Sequence, residues 1–342
     1  MKLTIFVAFA LGLLPLMVSA MTVSVEQPSL YDLAAGNKSR KIFLDGPIDR
    51  KSLALVQDAL EKAGDNGADV YFNSPGGNLL SGIEIGRLIR RHGASTILGK
   101  RRPGADLTIL PAECYSACSL AFIGGVYRYS GIESIYGVHR FASTTGPSDD
   151  DLDTGQILSA AISTYIREMG VDPRLFDLMA STSKDDISII SSEEMKKLQI
   201  VNNGRQQSEW TIEANGGIQY LKGEQTTVYG AAKAIFNCEH GQLMFHSFYE
   251  AGERSQSIAA GGWHHSLSIN NKNQPLTPFE LQVSNRFLVT SFEISRNDAI
   301  AISQAKSVGH AMQVAPDAPA VVSYRIEIDG DRNRQSESPR IS

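Results

Sequence analysis

The chain is poor in cysteine, in excess charge and in long apolar runs, and each shortage excludes a class of protein. Only three cysteines occur among 342 residues, so one disulfide can form and one thiol is left over. The net charge is −5 and the positive residues are scattered, which argues against a nucleic-acid partner. No apolar run after residue 20 is long enough to span a bilayer. The Gly-x-Ser-x-Gly motif of the α/β-hydrolases is also absent.

The first 20 residues have the three regions of a secretory signal peptide. A short basic start, Met1-Lys2, precedes the uncharged apolar run Ile5–Val18, and Val18-Ser19-Ala20 supplies small residues for cleavage. The alternative is a membrane anchor, which needs ~20 apolar residues, whereas this run has 14. We therefore expect residues 1–20 to be removed and the mature protein to be periplasmic or secreted.

An oxidising compartment makes a disulfide the expected use of two of the cysteines. Cys114 and Cys118 are four residues apart, and a helical turn or a turn–helix junction brings such residues within bridging distance. We therefore predict a Cys114–Cys118 disulfide, with Cys238 free and buried. A zinc site is the alternative use of this spacing, with further ligands from Asn237–His240.

The mature chain divides into two regions with different patterns of secondary-structure signals. Residues 41–204 alternate strand and helix signals, which is typical of an α/β domain. Residues 205–328 carry short β-branched and aromatic runs between turns, which predicts a smaller, mostly β domain. We interpret residues 21–40 as an N-terminal extension and the polar tail 329–342 as disordered.

Within the α/β region, hydrophobic periodicity predicts individual elements. Gly82 and Gly86 lie on one face of a predicted helix, so we expect that helix to approach the sheet closely. The predicted strands are 41–44, 68–72, 95–98, 107–110, 127–129 and 135–138, and the predicted helices include 50–63, 79–92 and 116–124.

Three short segments carry the residue types that acyl transfer needs. Ser116 is a candidate nucleophile at a predicted helix start, where the N–H of Ala117 lacks an intrahelical partner and can point at an anion. Gly76 and Gly77 follow a strand and can supply a second donor or pair with an extended peptide. His139 is the candidate base. Each segment also has a structural interpretation: a packing serine, a turn, and a hydrogen-bonded scaffold histidine.

These segments keep a fixed order along the chain. Asn73–Gly77 reads Asn-Ser-Pro-Gly-Gly, Ser116–Gly125 reads Ser-Ala-Cys-Ser-Leu-Ala-Phe-Ile-Gly-Gly, and Tyr136–His139 ends on the histidine. This order resembles the Clp protease proteolytic subunit and the wider crotonase-like superfamily, with motifs Asn-Ser-Pro-Gly-Gly, Ala-Ser-Met-Gly-Ala-Phe-Leu-Leu and Met-Ile-His. The Cys-x-Ser-Ala-Cys helix start is similar to a branch of secreted bacterial Clp-protease-like proteins. The resemblance covers about residues 40–203.

The resemblance implies an α/β fold of the crotonase type, a ββα superhelix, followed here by the smaller mostly-β domain. It implies that Ser116 is the nucleophile and His139 the general base. It also implies an oxyanion hole formed by Gly76 or Gly77 together with the amide of Ala117.

The third catalytic residue of the family is an aspartate shortly before a Ser-x-x-Glu-Ala helix. The segment Ser191–Met195 resembles the start of that helix. Asp185 and Asp186 precede it, and we favour Asp185 for this role. The resemblance implies no metal and no other cofactor.

We therefore predict an extracytoplasmic serine hydrolase, specifically a peptidase that acts on peptide or protein substrates. ATP is scarce outside the cytoplasm, so we expect ATP-independent hydrolysis without an ATPase chaperone. Members of the superfamily form rings or trimers, which leaves a homo-oligomer open. One alternative is an inactive Clp-like scaffold whose β domain binds a partner, with Trp263–His265 or Cys238–His240 as candidate contacts. An acyl-thioester enzyme is the other alternative, and it is disfavoured because coenzyme A is not expected in this compartment.

Overall fold

The computed structural model is a mixed α/β structure that describes residues 20–34, 36–102, 108–141 and 151–328. The predicted signal peptide, apart from residue 20, and the predicted tail lie outside the described residues. The chain divides into two compact units with the boundary between Val201 and Asn202. Among the described residues, no helix is long and apolar enough to cross a bilayer.

The first unit alternates strands and helices along the chain. Its helices α2 and α3 begin and end within two residues of the predicted bounds. The elements are β1 (Thr22–Glu26), α1 (Leu30–Ala34), β2 (Arg40–Asp45), α2 (Ser52–Ala63), β3 (Ala68–Asn73), α3 (Leu79–Arg91), β4 (Ser95–Leu98), β5 (Lys100–Arg101), β6 (Ile109–Leu110), β7 (Glu113–Tyr115), α4 (Ala117–Phe122), β8 (Arg128–Ser130), β9 (Ile135–Val138), α5 (Asp151–Glu168), α6 (Arg174–Ser181), β10 (Ser188–Ile190) and α7 (Ser192–Lys197).

Two sheets organise the first unit. The larger has the order β1-β2-β3-β4-β8, in which β2, β3, β4 and β8 are parallel and β1 runs antiparallel to β2. The segment 21–40 therefore contributes an edge strand and a short helix to this unit. The smaller sheet has the order β10-β9-β7, with β7 parallel to β9.

Ser74 connects the two sheets. Its N–H donates to the carbonyl of Glu113 at 2.7 Å, and its carbonyl accepts from the N–H of Tyr115 at 3.1 Å. The chain leaving β3 thus pairs with β7 before it turns at Gly76. This pairing places the double-glycine turn beside the end of β7, where Ser116 follows.

A strand–strand–helix order recurs in the first unit. The strand β3 is followed by a bridge at Gly77 and then α3; β4 is followed by β7 and α4; β8 is followed by β9 and α5. The same order begins with β2, a bridge at Ile48 and α2. Each long connection back to the larger sheet therefore contains a helix, as parallel strands require.

Glycine contacts hold α3 against α4 rather than against the sheet, which corrects our expectation for Gly82 and Gly86. A β-carbon on Gly82 would lie 2.5 Å from the carbonyl oxygen of Ala117, and one on Gly124 would lie 2.2 Å from that of Gly86. The two helices approach at a distance that only glycine permits. Since Ser116 directly precedes α4, this contact fixes the helix on which the candidate nucleophile depends.

The second unit is a pair of antiparallel sheets with two short helices. One sheet has the order β11-β12-β13-β14-β18-β17 and the other β16-β15-β19-β20, and residues of both sheets share one buried core, as in a sandwich. The elements are β11 (Glu209–Asn215), β12 (Ile218–Thr227), β13 (Gly230–Glu239), β14 (Gln242–Glu250), α8 (Ser255–Ala259), β15 (His264–Ile269), β16 (Lys272–Leu276), β17 (Glu280–Ser284), β18 (Phe287–Ile294), α9 (Arg296–Ser303), β19 (Ser307–Gln313) and β20 (Ala320–Glu327).

Candidate active site around Ser116

Ser116 occupies the sharp turn between β7 and α4. Its backbone has φ 58° and ψ −124°, a left-handed conformation that non-glycine residues rarely adopt. The N–H of Ser116 donates to the carbonyl of Gly137 at 3.2 Å, and its own carbonyl accepts from Ser119 at 3.0 Å. Such a conformation costs about 1–3 kcal/mol and is concentrated at functional sites.

The Ser116 hydroxyl is not used by the fold. Its Oγ has no hydrogen-bond partner among the described residues, and it is not one of their buried unpartnered polar atoms. The side chain is half-buried, so the oxygen reaches solvent. A serine on a strained turn between a strand and a helix, with its hydroxyl accessible, is the placement seen for nucleophiles in the α/β-hydrolase elbow, although no base contacts it among the described residues.

The Cys114–Cys118 disulfide spans this turn, as predicted. The two Cα atoms are 5.3 Å apart and both residues are fully buried. The bridge ties β7 to the first turn of α4 with Ser116 midway between its ends. It also consumes both thiols, so the alternative zinc site at these cysteines is wrong.

Cys238 is free and exposed, so its predicted burial is wrong. It lies on the same face of β13 as the buried residues Ala232 and Ala234. This face becomes progressively more exposed towards the hairpin at Gly241, beyond the reach of the core. Alternation identifies the face of a strand, but it does not show where that face leaves the core.

The two glycines of the turn have different roles. The N–H of Gly76 donates to Ser74 Oγ at 3.1 Å, and a β-carbon on Gly76 would lie 2.7 Å from the Ser116 β-carbon. Gly76 is therefore a packing residue that lets the turn approach the serine. Gly77 is exposed, and its N–H has no partner among the described residues, because the bridge to Ile48 uses the groups on either side of it.

The amide of Ala117 is the second available donor. As the first residue of α4 it lies among the helical N–H groups that lack an intrahelical acceptor. A β-carbon on Gly76 would be 3.0 Å from this nitrogen, so the glycine turn borders the helix start directly. In the described part of the chain, Gly77 and Ala117 thus offer two amides without an acceptor beside Ser116.

His139 follows β9, two residues beyond the carbonyl that accepts the Ser116 N–H. Its Nδ1 is 2.9 Å from the carbonyl oxygen of Arg140. A carbonyl only accepts, so this contact assigns the proton to Nδ1 and leaves the lone pair on Nε2. No hydrogen bond joins His139 to Ser116 among the described residues.

Asp185 makes no hydrogen bond to the His139 ring among the described residues. Its carboxylate pairs with Lys184 at 2.7 Å and is 74% exposed. Its loop runs beside the histidine, since the carbonyl of Thr182 accepts from the N–H of Arg140 at 3.1 Å. Among the described residues, neither Asp185 nor Asp186 accepts a hydrogen bond from His139, so the role predicted for Asp185 rests on the resemblance alone.

An apolar surface that the sequence reasoning missed lies beside the site. The side chains of Tyr115, Ile187 and Ile189 pack over Gly137, where a β-carbon would lie 2.5 Å from Ile187 Cγ2. Both isoleucines stay about half exposed. Burial, with a further contribution from Glu113, raises the pKa of Tyr115, so this side chain stays neutral. The alternation in Ile187-Ser188-Ile189 was the signal that could have revealed β10.

The comparisons with known proteins add no family. No protein-family model and no curated protein matches this chain at a significant level. Any assignment of function therefore depends on the residues and geometry described above.

Proposed function

We propose that residues 41–204 form a crotonase-like ββα superhelix of the Clp protease type. The repeated strand–strand–helix order supports this proposal, as does the placement of the three motifs. The Asn73–Gly77 segment, Ser116 and His139 come from three successive repeats and lie at neighbouring strand ends. A superhelix of this kind collects residues far apart in sequence at one edge.

On that framework we propose that the protein is a serine hydrolase that cleaves peptides. The observation that carries the proposal is the Ser116 hydroxyl on a strained turn, which has two amides beside it and, like them, no hydrogen-bond partner among the described residues. The Ser116 Oγ attacks the carbonyl carbon of the substrate and passes its proton to Nε2 of His139. The N–H groups of Gly77 and Ala117 hold the oxyanion that forms, and stabilising this charge is a main source of rate enhancement.

The peptide C–N bond then breaks, and the leaving amine takes the proton from His139, which leaves the acyl group on Ser116. Water attacks this acyl group with His139 again as the base, and the acid product is released. The Arg140 carbonyl holds the ring in the required tautomer, the role an aspartate has in most such triads. His139 must move towards Ser116 when substrate binds, since catalytic hydrogen bonds are often long without substrate.

We propose an extracytoplasmic location and independence from ATP for the same protein. The buried disulfide supports the location, because such bonds persist in oxidising compartments. Without an ATP-driven unfolding partner, the enzyme is limited to short peptides and unfolded chains.

The rival function is an inactive scaffold, and one observation favours it: the absence of a Ser116–His139 hydrogen bond among the described residues. Of the binding residues considered for that scaffold, Trp263 and His265 have structural roles, whereas His264, Cys238 and His240 are exposed. Trp263 donates its Nε1 hydrogen to the carbonyl of Ile258 at 2.7 Å, and His265 is buried against His310.

Cleavage of fluorogenic peptides by the purified mature protein without ATP tests the proposal. Ser116→Ala and His139→Ala are expected to reduce the rate to background while leaving the melting temperature unchanged. Equal cleavage by wild type and Ser116→Ala would assign the activity to a contaminant. No cleavage by wild type across a broad peptide set would favour the scaffold.

A further inference from the structure

The second unit contains an open cleft of about 320 Å³ at one end of its smaller sheet. We name it the basic cleft. Its volume is at the lower end of the range for small-molecule sites, about 300–1,000 Å³. It is lined by Arg205, Asn271, Lys306, Ser307, Arg325 and Glu327.

One wall of the basic cleft is fixed by the tight turn between β15 and β16. Asn270 Oδ1 accepts from the N–H of Lys306 at 2.8 Å, and the Asn270 N–H donates to the carbonyl of Ser307 at 3.1 Å. These bonds join the turn, which includes Asn271, to the start of β19. The side-chain amide of Asn271 and the hydroxyl of Ser307 have no partner among the described residues.

The opposite wall is fixed through the backbone of Glu327. Its carbonyl oxygen accepts from Ser208 Oγ at 2.6 Å and from Trp210 Nε1 at 2.8 Å. These contacts fasten the segment that carries Arg205 to the edge strand β20. The positions of the cationic residues are thus set by the fold.

Among the described residues, no carboxylate forms an ion pair with the cations of the basic cleft. In the described part of the chain, Arg205, Lys306 and Arg325 make no ion pair within 4.0 Å, even though Glu327 lines the same cleft. Two other lysines of this unit do pair: Lys222 binds Glu213, and Lys233 binds Glu224. Three cations and one carboxylate leave the cleft with two excess positive charges, on a chain whose net charge is −5.

We propose that the basic cleft binds a phosphate group, either as free phosphate or as a phosphomonoester. Phosphate carries about −1.5 to −2 charges near neutral pH, which matches the excess charge of the cleft. Arginine presents a planar fork that binds phosphate oxygens in pairs, and lysine adds a point charge. Asn271 and Ser307 supply neutral donors. This site is independent of the activity proposed for Ser116.

Calorimetric titration of the full mature chain with inorganic phosphate, at constant ionic strength, tests the proposal. Arg325→Gln and Lys306→Gln are each expected to weaken binding about tenfold or more, since each removes charge-assisted hydrogen bonds. Glu327→Gln is expected to tighten binding several-fold by removing a repelling charge. Arg254→Gln, an exposed arginine of the same unit outside the cleft, is the matched control and should bind like wild type.

Glycerol phosphate and acetate complete the experiment. Tighter binding of glycerol phosphate than of inorganic phosphate assigns the site to a phosphomonoester, and equal or weaker binding assigns it to free phosphate. Acetate should bind at least tenfold more weakly than either. No saturable binding of phosphate, equal losses in Arg254→Gln, or weaker binding by Glu327→Gln would each overturn the proposal. If Arg325→Gln does not fold, Lys306→Gln provides the same test, because Lys306 is exposed and its substitution should not affect folding.

Discussion

Each unit of the molecule contains a serine that invites a catalytic interpretation, and the two serines are in opposite situations. Ser247 has a histidine partner, since its Oγ is 2.8 Å from His310 Nδ1, but it is 1% exposed. Ser116 has no histidine partner among the described residues, but its hydroxyl reaches solvent. The serine with the better hydrogen bond is the one that no substrate can reach.

The surroundings of the two serines explain this difference. His310 continues the buried chain to His265 Nδ1 at 3.0 Å, and the ring of His310 packs on Phe292. The side-chain polar atoms of Ser247 and His310 are thus all hydrogen-bonded inside the core, as buried polar groups in a structural network usually are. Around Ser116, the amides of Gly77 and Ala117 and the serine hydroxyl have no hydrogen-bond partner among the described residues. A Ser–His hydrogen bond alone therefore does not identify a catalytic serine, because the serine must also be accessible to substrate.

Alanine substitution of the two serines should separate these roles. Ser116→Ala is expected to lower kcat about 10⁴-fold or more without destabilising the fold, because it removes the nucleophile alone. Ser247→Ala is expected to leave peptide cleavage unchanged and to lower the free energy of unfolding by about 1–3 kcal/mol, because His310 loses its partner. Peptide-cleavage kinetics and urea unfolding of both variants measure the changes in kcat and in the free energy of unfolding. Loss of activity in Ser247→Ala with the fold intact would contradict the comparison.

Gly76→Ala tests whether the turn must approach Ser116. Its added β-carbon would lie 2.5 Å from the carbonyl oxygen of Tyr115, so the turn has to move away. Relieving this contact requires the turn to shift by about 1 Å, and a misplacement of that size is expected to lower kcat/KM about 100-fold. Gly93→Ala is the matched control: Gly93 also has a positive φ, 64°, but a β-carbon there meets nothing within 4 Å. Equal activity losses in the two variants would show that backbone strain, not the contact, is responsible.

The buried histidine predicts acid sensitivity of the second unit. Burial, and to a smaller extent His265, lowers the pKa of His310 to about 3, whereas an unfolded histidine titrates near 6.5. The unfolded chain therefore binds the extra proton first. The contribution of His310 to the free energy of unfolding is fully present above pH 6.5. It falls by about 1.4 kcal/mol per pH unit between pH 6.5 and 3.

Both tryptophans, Trp210 and Trp263, lie in the second unit, so their fluorescence reports its unfolding alone. Urea unfolding at several pH values should give a shallower pH dependence for His310→Gln than for wild type. The difference between the unfolding free energies of the two proteins at each pH removes the acid sensitivity of the carboxylates and of the other histidines. Parallel curves for the two proteins would mean that His310 does not titrate as described.

Asp185→Asn is expected to have the smallest effect, a change in kcat of less than about twofold. The carboxylate is paired with Lys184 and the His139 ring is held by the Arg140 carbonyl instead. An orienting aspartate in a triad contributes about 10⁴-fold to kcat, so the two assignments differ clearly. A large loss in Asp185→Asn would return this residue to the triad, with the loop rearranging when substrate binds.

The elements with strong local signals could be predicted from the sequence. The helices α2 and α3 have apolar positions at helical spacing, and their observed bounds agree with the predicted ones to within two residues. The Cys114–Cys118 bridge followed from the short spacing and the expected compartment. The proximity of the Gly76-Gly77 turn to Ser116 was predicted only because the motif order resembled a known family.

Features set by tertiary contacts could not be predicted. The strands β1 and β10 have only five and three residues, so the alternation within them is too short to distinguish a strand from a loop. The left-handed backbone of Ser116 results from the surrounding sheets and the α3–α4 contact, since serine alone does not favour it. The bond from His139 to Arg140 depends on the turn after β9, for which no residue pattern gives a signal.

Fluorophosphonate labelling of the mature protein, followed by mass-spectrometric mapping of the adduct, tests the central claim most directly. We predict one adduct, on Ser116, that disappears in Ser116→Ala and is greatly slowed in His139→Ala. Ser247 should stay unmodified despite its histidine. A folded protein that forms no adduct on Ser116, or that is labelled on another serine instead, would contradict the account.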